Sequence, residues 1–256
     1  MTTPALRNPI VLVHGLLGYD EMRVAGQPLI EYFRGIPGFL RAAGNRVLVP
    51  CLSPTRGIAE RAEQLKQFLD REACDERVHL IAHSMGGLDS RHMITHLDMA
   101  TRVLTLTTIG TPHRGSPFAE LGVRRLEPFL TPWFRAFDIP GQAFLDLTTT
   151  ACREFNERTR DSPRVRYFSV AGRCDRLWCR PAWWPSFGVV EQAEGPNDGV
   201  VSVASATYGE SLTMWEGDHL NLINLPNPYE RVSGRWRDRA ADYGELVLRL
   251  AQEGFA

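Results

Sequence analysis

Apolar residues along this chain follow two alternating rhythms. Short runs rich in apolar and β-branched residues at Pro9 to Val13, Val47 to Val49, Val78 to Ile81, Val103 to Ile109, Val165 to Val170 and Leu212 to Trp215 read as strands, the first and third of them buried. Between them the period lengthens to that of a helix. Ile58, Ala62, Leu65 and Leu69 form one stripe, with Glu60, Arg61, Glu63, Lys66 and Gln67 assigned to its wet side. Leu88, Ile94 and Leu97 form a second stripe, and Trp236, Ala240, Tyr243, Val247 and Leu250 a third that ends the chain in a helix packed on the sheet. Strand, helix, strand alternation demands a mostly parallel sheet with helices on both faces, an α/β fold. No internal repeat, low-complexity tract or linker interrupts it, so residues 1–256 read as one domain.

One connection is too long to be simple. Residues 117–150 lie between a strand end and a later strand and predict an inserted helical cap. Leu126, Phe129, Leu130, Trp133, Phe134 and Phe137 recur at helical spacing opposite Arg124, Arg125, Glu127 and Arg135, while Pro128 and Pro132 forbid one continuous helix. This stripe is expected to be a lid over a pocket, with Leu130, Trp133, Phe134, Phe137 and the loop residue Leu17 against substrate. A second stripe, Phe144, Leu147, Ala151 and Phe155, is expected to pack as a satellite core.

The third strand run passes straight into His83-Ser84-Met85-Gly86-Gly87 and then a helix. A Ser at such a turn sits in a strained conformation with its hydroxyl above the sheet edge, and the residues two before and two after it must be small. Ala82 and Gly86 meet that requirement, so Ser84 is the candidate nucleophile, against the plainer reading of an ordinary strand-to-helix turn. A Ser hydroxyl needs a base, and the base needs a third group to fix its tautomer. His219, after the last predicted strand, is the expected base; His113 follows a strand directly and is expected to shape the rim; His14 precedes a glycine loop and is read as structural. Asp175, Asp198 and Asp218 compete for the acid. Asp198, in Pro196-Asn197-Asp198-Gly199 before an expected strand at Val200 to Val203, is the choice, since Asp218 adjoins His219 and neighbours rarely aim at each other. An oxyanion hole needs two N–H donors, and Met85 and Leu16 are placed to supply them.

Charge and composition narrow the class further. A formal net charge of -1 provides no field for nucleic acid or an anionic bilayer. No run of about eighteen apolar residues predicts an integral membrane segment, and no export signal opens the sequence. The five cysteines are an odd number, so at least one is unpaired in a monomer; Cys174 and Cys179 are close enough in sequence to close a loop. His92 and His96 stand one helical turn apart without the glutamate of a zinc motif and read as polar surface. Trp178, Trp183 and Trp184 fit a substrate surface or a satellite core equally well.

Together His14 to Gly18 (HGLLG), Ala82 to Gly87 (AHSMGG), Gly110 to Ser116 (GTPHRGS), Asn197 to Ser202 (NDGVVS) and Asp218 to Asn221 (DHLN) resemble the bacterial true lipases of the α/β-hydrolase fold. Tyr32 to Leu40 resembles the Pseudomonas and Burkholderia group, and the Ala before His83 resembles the Bacillus lipases. The resemblance implies a serine carboxylester hydrolase acting on acylglycerols or other lipid-like esters, with its nucleophile, acid and base on Ser84, Asp198 and His219 and its oxyanion amides on Leu16 and Met85. A polyester depolymerase or acyltransferase would share that acyl-enzyme, and a non-catalytic ligand-binding protein is the alternative from another class. The resemblance implies no required cofactor. Many members of the Pseudomonas group hold a structural calcium through an Asp two residues after the catalytic His; that position is Asn221, and Asp175 is the carboxylate in the corresponding region.

Overall fold

The computed structural model describes residues 3–16, 21–24, 27–121, 142–210 and 212–255, with the backbone alone at 21–24, 27–30 and 212. Its centre is a six-stranded parallel sheet of β1 (Ile10–Val13), β4 (Val47–Leu48), β5 (Val78–His83), β6 (Val103–Ile109), β7 (Arg166–Arg173) and β8 (Leu212–Glu216). The strand order is β4-β1-β5-β6-β7-β8. Every strand expected from the apolar-rich runs is there. β2 (Glu21–Val24) and β3 (Gln27–Glu31) form a separate antiparallel hairpin that the apolar pattern does not announce.

The apolar-rich runs arise because the strands feed two cores. Along β1, Ile10 and Leu12 face one layer, with Phe33, Ile36, Leu40, Tyr243, Val247 and Leu250. Val11 and Val13 face the other, with Ala62, Leu65, Leu69, Met93 and Ile94. Helix α1 (Ile36–Ala42) and the C-terminal helix Ala240–Leu250 therefore cover one face, and α2 (Ile58–Glu72) with α3 (Gly86–His96) the other. Each fully buried Leu or Ile in these layers contributes roughly 1.5–3 kcal/mol through water released from apolar surface.

Three expectations need correction. Arg61 is not on the wet side of α2 but has no exposed surface, because it lies three residues after Ile58 and four before Leu65 and so shares their face. Val200 to Val203 is not a strand: Asn197 and Ser202 bridge across a tight turn, and Ser202 then caps the short helix Val203–Ala206. The C-terminal helix begins at Ala240, leaving Trp236 in the preceding loop.

The topology places the chemistry. The chain leaves β1 for the sheet edge at β4 and returns to β5 on the other side of β1, and such a reversal opens a crevice beyond the carboxyl ends of these strands. At that end stand His14, Ser84, Gly110, the β7 loop and His219.

Candidate active site

Ser84 has φ of 54°, a left-handed conformation that costs a non-glycine residue roughly 1–3 kcal/mol and needs surrounding structure to hold it. The hold is visible. Its amide donates to Ile109 O at 2.9 Å, and its carbonyl accepts from Gly87 N at 3.1 Å and from the Thr111 hydroxyl at 2.7 Å. The need for a small residue two positions later is equally concrete, since a Cβ on Gly86 would lie 2.8 Å from the carbonyl oxygens of both Val13 and His14. A Cβ on Gly15 would lie 2.7 Å from Ser84 Cβ, so the loop after β1 can pass this close to Ser84 only as glycine. Beyond Gly15, the Leu16 and Met85 amides donate to no acceptor among the described residues. Met85 is fully buried at the mouth of α3.

His219 and Asp198 meet directly. The His219 Nδ1–H donates to Asp198 Oδ2 at 2.7 Å, and the His219 amide donates to Asp198 O at 2.8 Å. Asp198 Oδ1 accepts from Val200 N and Val201 N at 3.0 and 2.8 Å, so the carboxylate is fully engaged and aimed. With its Nδ1 proton given to Asp198, the imidazole keeps Nε2 as an acceptor. Gly110, next to the residue that anchors Ser84, links the pair to the elbow: a Cβ there would lie 3.2 Å from Asp198 Oδ2 and 3.4 Å from His219 Cε1.

Two groups that sequence reasoning left without a role tie these parts together. The Gly15 amide donates to the Tyr32 hydroxyl oxygen at 3.0 Å, Tyr32 O–H donates to His83 Nδ1 at 2.8 Å, and His83 Nε2–H donates to His219 O at 3.1 Å. The direction is forced, because the carbonyl at the end can only accept. Arg61 holds the other side of the loop, giving NH2 to His14 O at 2.7 Å and Nε to Asp89 Oδ2 at 2.8 Å, with both side chains fully buried. Burial pushes the Asp89 carboxyl up to about 7 against the opposing pull of Arg61.

The remaining candidates settle into other places. His14 is structural, donating Nδ1–H to its neighbour Gly15 O and accepting from Leu52 N at Nε2. His113 is not on a rim but fully buried, stacked on Tyr208 with ring centroids 4.0 Å apart and bonded to the Thr108 hydroxyl. The side chains of Asp175 and of Arg176 and Leu177 beside it are exposed, and the Asp175 carbonyl takes the amides of Trp178 and Cys179. Trp184 is exposed and donates its indole N–H to Cys179 O, while Trp178 lies under Arg235 of a later loop. All five cysteines are free thiols. Of the second cap stripe, Leu147 is buried and Phe155 partly buried in a cluster with Ile58, Met85, Leu88, Ala143 and Cys152, with Leu16 against it, whereas Phe144 is exposed rather than packed, its place being taken by its neighbour Ala143. Leu17, Leu130, Trp133, Phe134 and Phe137 lie outside the described residues.

Four of these imidazoles are buried and neutral, which makes stability pH-dependent. Burial lowers His14 and His79 from 6.5 to about 4, and it lowers His83 and His113 well below their ordinary value. A histidine whose folded pKa lies below its unfolded value binds more protons unfolded, so stability is full above the unfolded pKa and falls as pH drops from about 6.5 towards the folded value. At pH 5, His14 and His79 would each cost about 2 kcal/mol. Asp89 runs the other way, and between pH 7 and pH 5 it offsets about as much as one of these histidines loses. Urea unfolding at pH 7, 6 and 5 is expected to show a steadily falling midpoint; a flat profile across that range would refute the buried neutral imidazoles.

The fit to calcium fails on the same geometry. Asn221 Oδ1 accepts from Asp218 N at 2.9 Å while its Nδ2 donates to Leu225 O at 3.1 Å, so its amide is committed within the loop. Among the described residues no group of three or more His, Cys, Asp or Glu is arranged to hold a metal ion.

Residues 60–127 match the PGAP1-like alpha/beta domain family. Triacylglycerol lipase 2 of Saccharomyces cerevisiae is 32% identical over 94% of this chain and 87% of that protein. The triacylglycerol lipase of Burkholderia plantarii is 40% identical over 126 residues, which are 46% of this chain and 33% of that protein. Among solved structures, the mature Bacillus licheniformis lipase superposes with a TM-score of 0.68 at 25% identity, covering 88% of this chain and 91% of that one. Staphylococcus hyicus lipase shares the fold with a TM-score of 0.74 at 16% identity, over 100% of this chain and 99% of that one. With the yeast likeness running nearly end to end in both chains, this protein belongs to the triacylglycerol lipase family of α/β hydrolases and is a carboxylic ester hydrolase.

Proposed function

We propose that this single-domain hydrolase cleaves acylglycerol or other lipid-like esters through an acyl-enzyme on Ser84, with His219 as base and Asp198 as its orienting acid. The observation that carries the reading is the His219–Asp198 pair, bonded through both backbone and side chain, together with a strained serine at the carboxyl end of β5. His219 Nε2 takes the Ser84 proton as the serine oxygen bonds to the ester carbonyl carbon. Charge developing on the carbonyl oxygen faces the amides of Leu16 and Met85. His219 then returns the proton to the departing alcohol, and water repeats the sequence to release the acid. The triacylglycerol lipase relatives support a lipid acyl chain as the transferred group.

A hydrolysis profile across p-nitrophenyl and glyceryl esters of increasing chain length tests this. Each buried methylene contributes about 0.8 kcal/mol, so kcat/KM is expected to rise at least about tenfold from two to eight acyl carbons. A flat or falling profile would remove the lipid reading while leaving the esterase. Preferential transfer of the acyl group to added alcohols rather than to water would instead favour an acyltransferase.

A further inference from the structure

Asp218 was weighed against Asp198 as the acid, and its carboxylate turns out to be occupied elsewhere. It is fully buried, immediately before His219, and makes no contact with that imidazole in the bonding pattern that fixes Nδ1 on Asp198. Its Oδ1 takes the amides of Leu220 and Asn221 at 3.1 and 3.0 Å, closing the turn just after the base. Its Oδ2 takes Asn227 Nδ2 at 3.0 Å, the Arg180 amide at 3.2 Å and Arg180 Nε at 3.4 Å. Arg180 in turn spreads its NH2 over the carbonyls of Leu225 and Pro226 at 3.3 and 3.4 Å. Asn227 completes the clamp by donating to Trp178 O at 2.7 Å.

The guanidinium therefore stands between one buried carboxylate and two carbonyl oxygens, all from the segment that carries His219. A cation of the chain itself fills that set of oxygens. Its charge is permanent, because guanidinium does not deprotonate in proteins. The side chain is one-fifth exposed, so it is shielded from salt without being sealed in the core.

We propose that Arg180 is the positioning residue of the base loop, its guanidinium holding the Asp218 to Pro226 turn so that His219 stays in line with Asp198, without a bound metal ion. The proposal rests on His219 being the base. A misplacement of about 1 Å at such a group can cost about a hundredfold in rate, so positioning is read in kcat rather than in substrate affinity.

The test compares wild type with Arg180→Ala, Arg180→Lys and His219→Ala on a soluble short-chain ester, with and without millimolar guanidinium chloride, calcium or chelator. The expected result is a fall of about a hundredfold in kcat for Arg180→Ala with KM within about threefold, and partial recovery on adding guanidinium. The low-field proton resonance of the His219–Asp198 bond should broaden or move in Arg180→Ala and return with guanidinium. Arg180→Lys, which keeps the charge but cannot bridge both carbonyls, should lie between, and it decides the matter if Arg180→Ala does not fold. Chelator should leave the wild type unchanged. Full kcat in Arg180→Ala or Arg180→Lys, or a loss that follows thermal unfolding alone with the proton resonance unmoved, would overturn the proposal. Wild-type activity lost to chelator and restored by calcium would also overturn it. Retained activity in His219→Ala would instead strike the base assignment on which it rests.

Discussion

Ser84→Ala is expected to lower kcat by about a million-fold while leaving the protein folded, the loss seen when a triad member is removed from other serine hydrolases. The backbone bonds that hold the elbow, from Ser84 N to Ile109 O and from Gly87 N and the Thr111 hydroxyl to Ser84 O, all survive removal of the Oγ. The variant should therefore melt within a few degrees of wild type. Turnover of a short-chain ester by purified Ser84→Ala, measured beside the wild type, checks it. Retention of more than about 1% of activity would mean that the nucleophile lies elsewhere, since residual catalysis from the oxyanion amides and binding alone is far smaller.

Asp198→Asn is expected to cost about ten-thousandfold through the tautomer rather than through the fold. An asparagine can keep its oxygen on the Val200 and Val201 amides, where Asp198 Oδ1 now sits, and it then turns an N–H₂ towards His219. His219 Nδ1 must accept from that group, which moves the ring proton to Nε2 and removes the acceptor that Ser84 needs. The control is Asp175→Asn, whose exposed carboxylate does not engage the base. Steady-state kinetics on both variants separates them: a deep loss in Asp198→Asn with near wild-type activity in Asp175→Asn is expected, and the reverse would move the acid to the β7 loop.

The sheet and the reacting groups were legible for different reasons. A parallel strand buried on both faces writes itself as a run rich in apolar and β-branched residues, which is why β1, β5, β6 and β7 are plain in the sequence. Ser84 is legible because its turn demands small residues on both flanks, and the 2.8 Å that would separate a Cβ on Gly86 from the Val13 and His14 carbonyl oxygens is that steric rule in atoms. What supports the site was harder to see. Arg61 reads as one more charge on a wet helix, although its offset of three from Ile58 places it on the apolar face, where it ties His14 O to Asp89. The roles of Tyr32 and Arg180 come from contacts across 51 and 38 positions, to His83 and Asp218, which no local pattern encodes. Hairpin β2–β3 and helix α1 were missed because glycine and proline break their periodicity, with Gly35 at φ 71° just before Ile36 and Pro37.

The division between nucleophile and support also explains the pH prediction. Histidines that make fixed, one-way hydrogen bonds, as His14 and His83 do, must stay neutral to hold the loop and the base in place. Acid should thus damage the scaffold as well as the chemistry, since a base that is protonated cannot accept the serine proton.

Covalent capture addresses the central claim most directly. A fluorophosphonate probe reacts only with an activated serine, and peptide mass spectrometry then reads the modified residue. One equivalent on Ser84 is expected, with labelling slowed by orders of magnitude in His219→Ala and Asp198→Asn. Stoichiometric labelling of any other serine, or no labelling of a folded wild-type protein, would contradict the account.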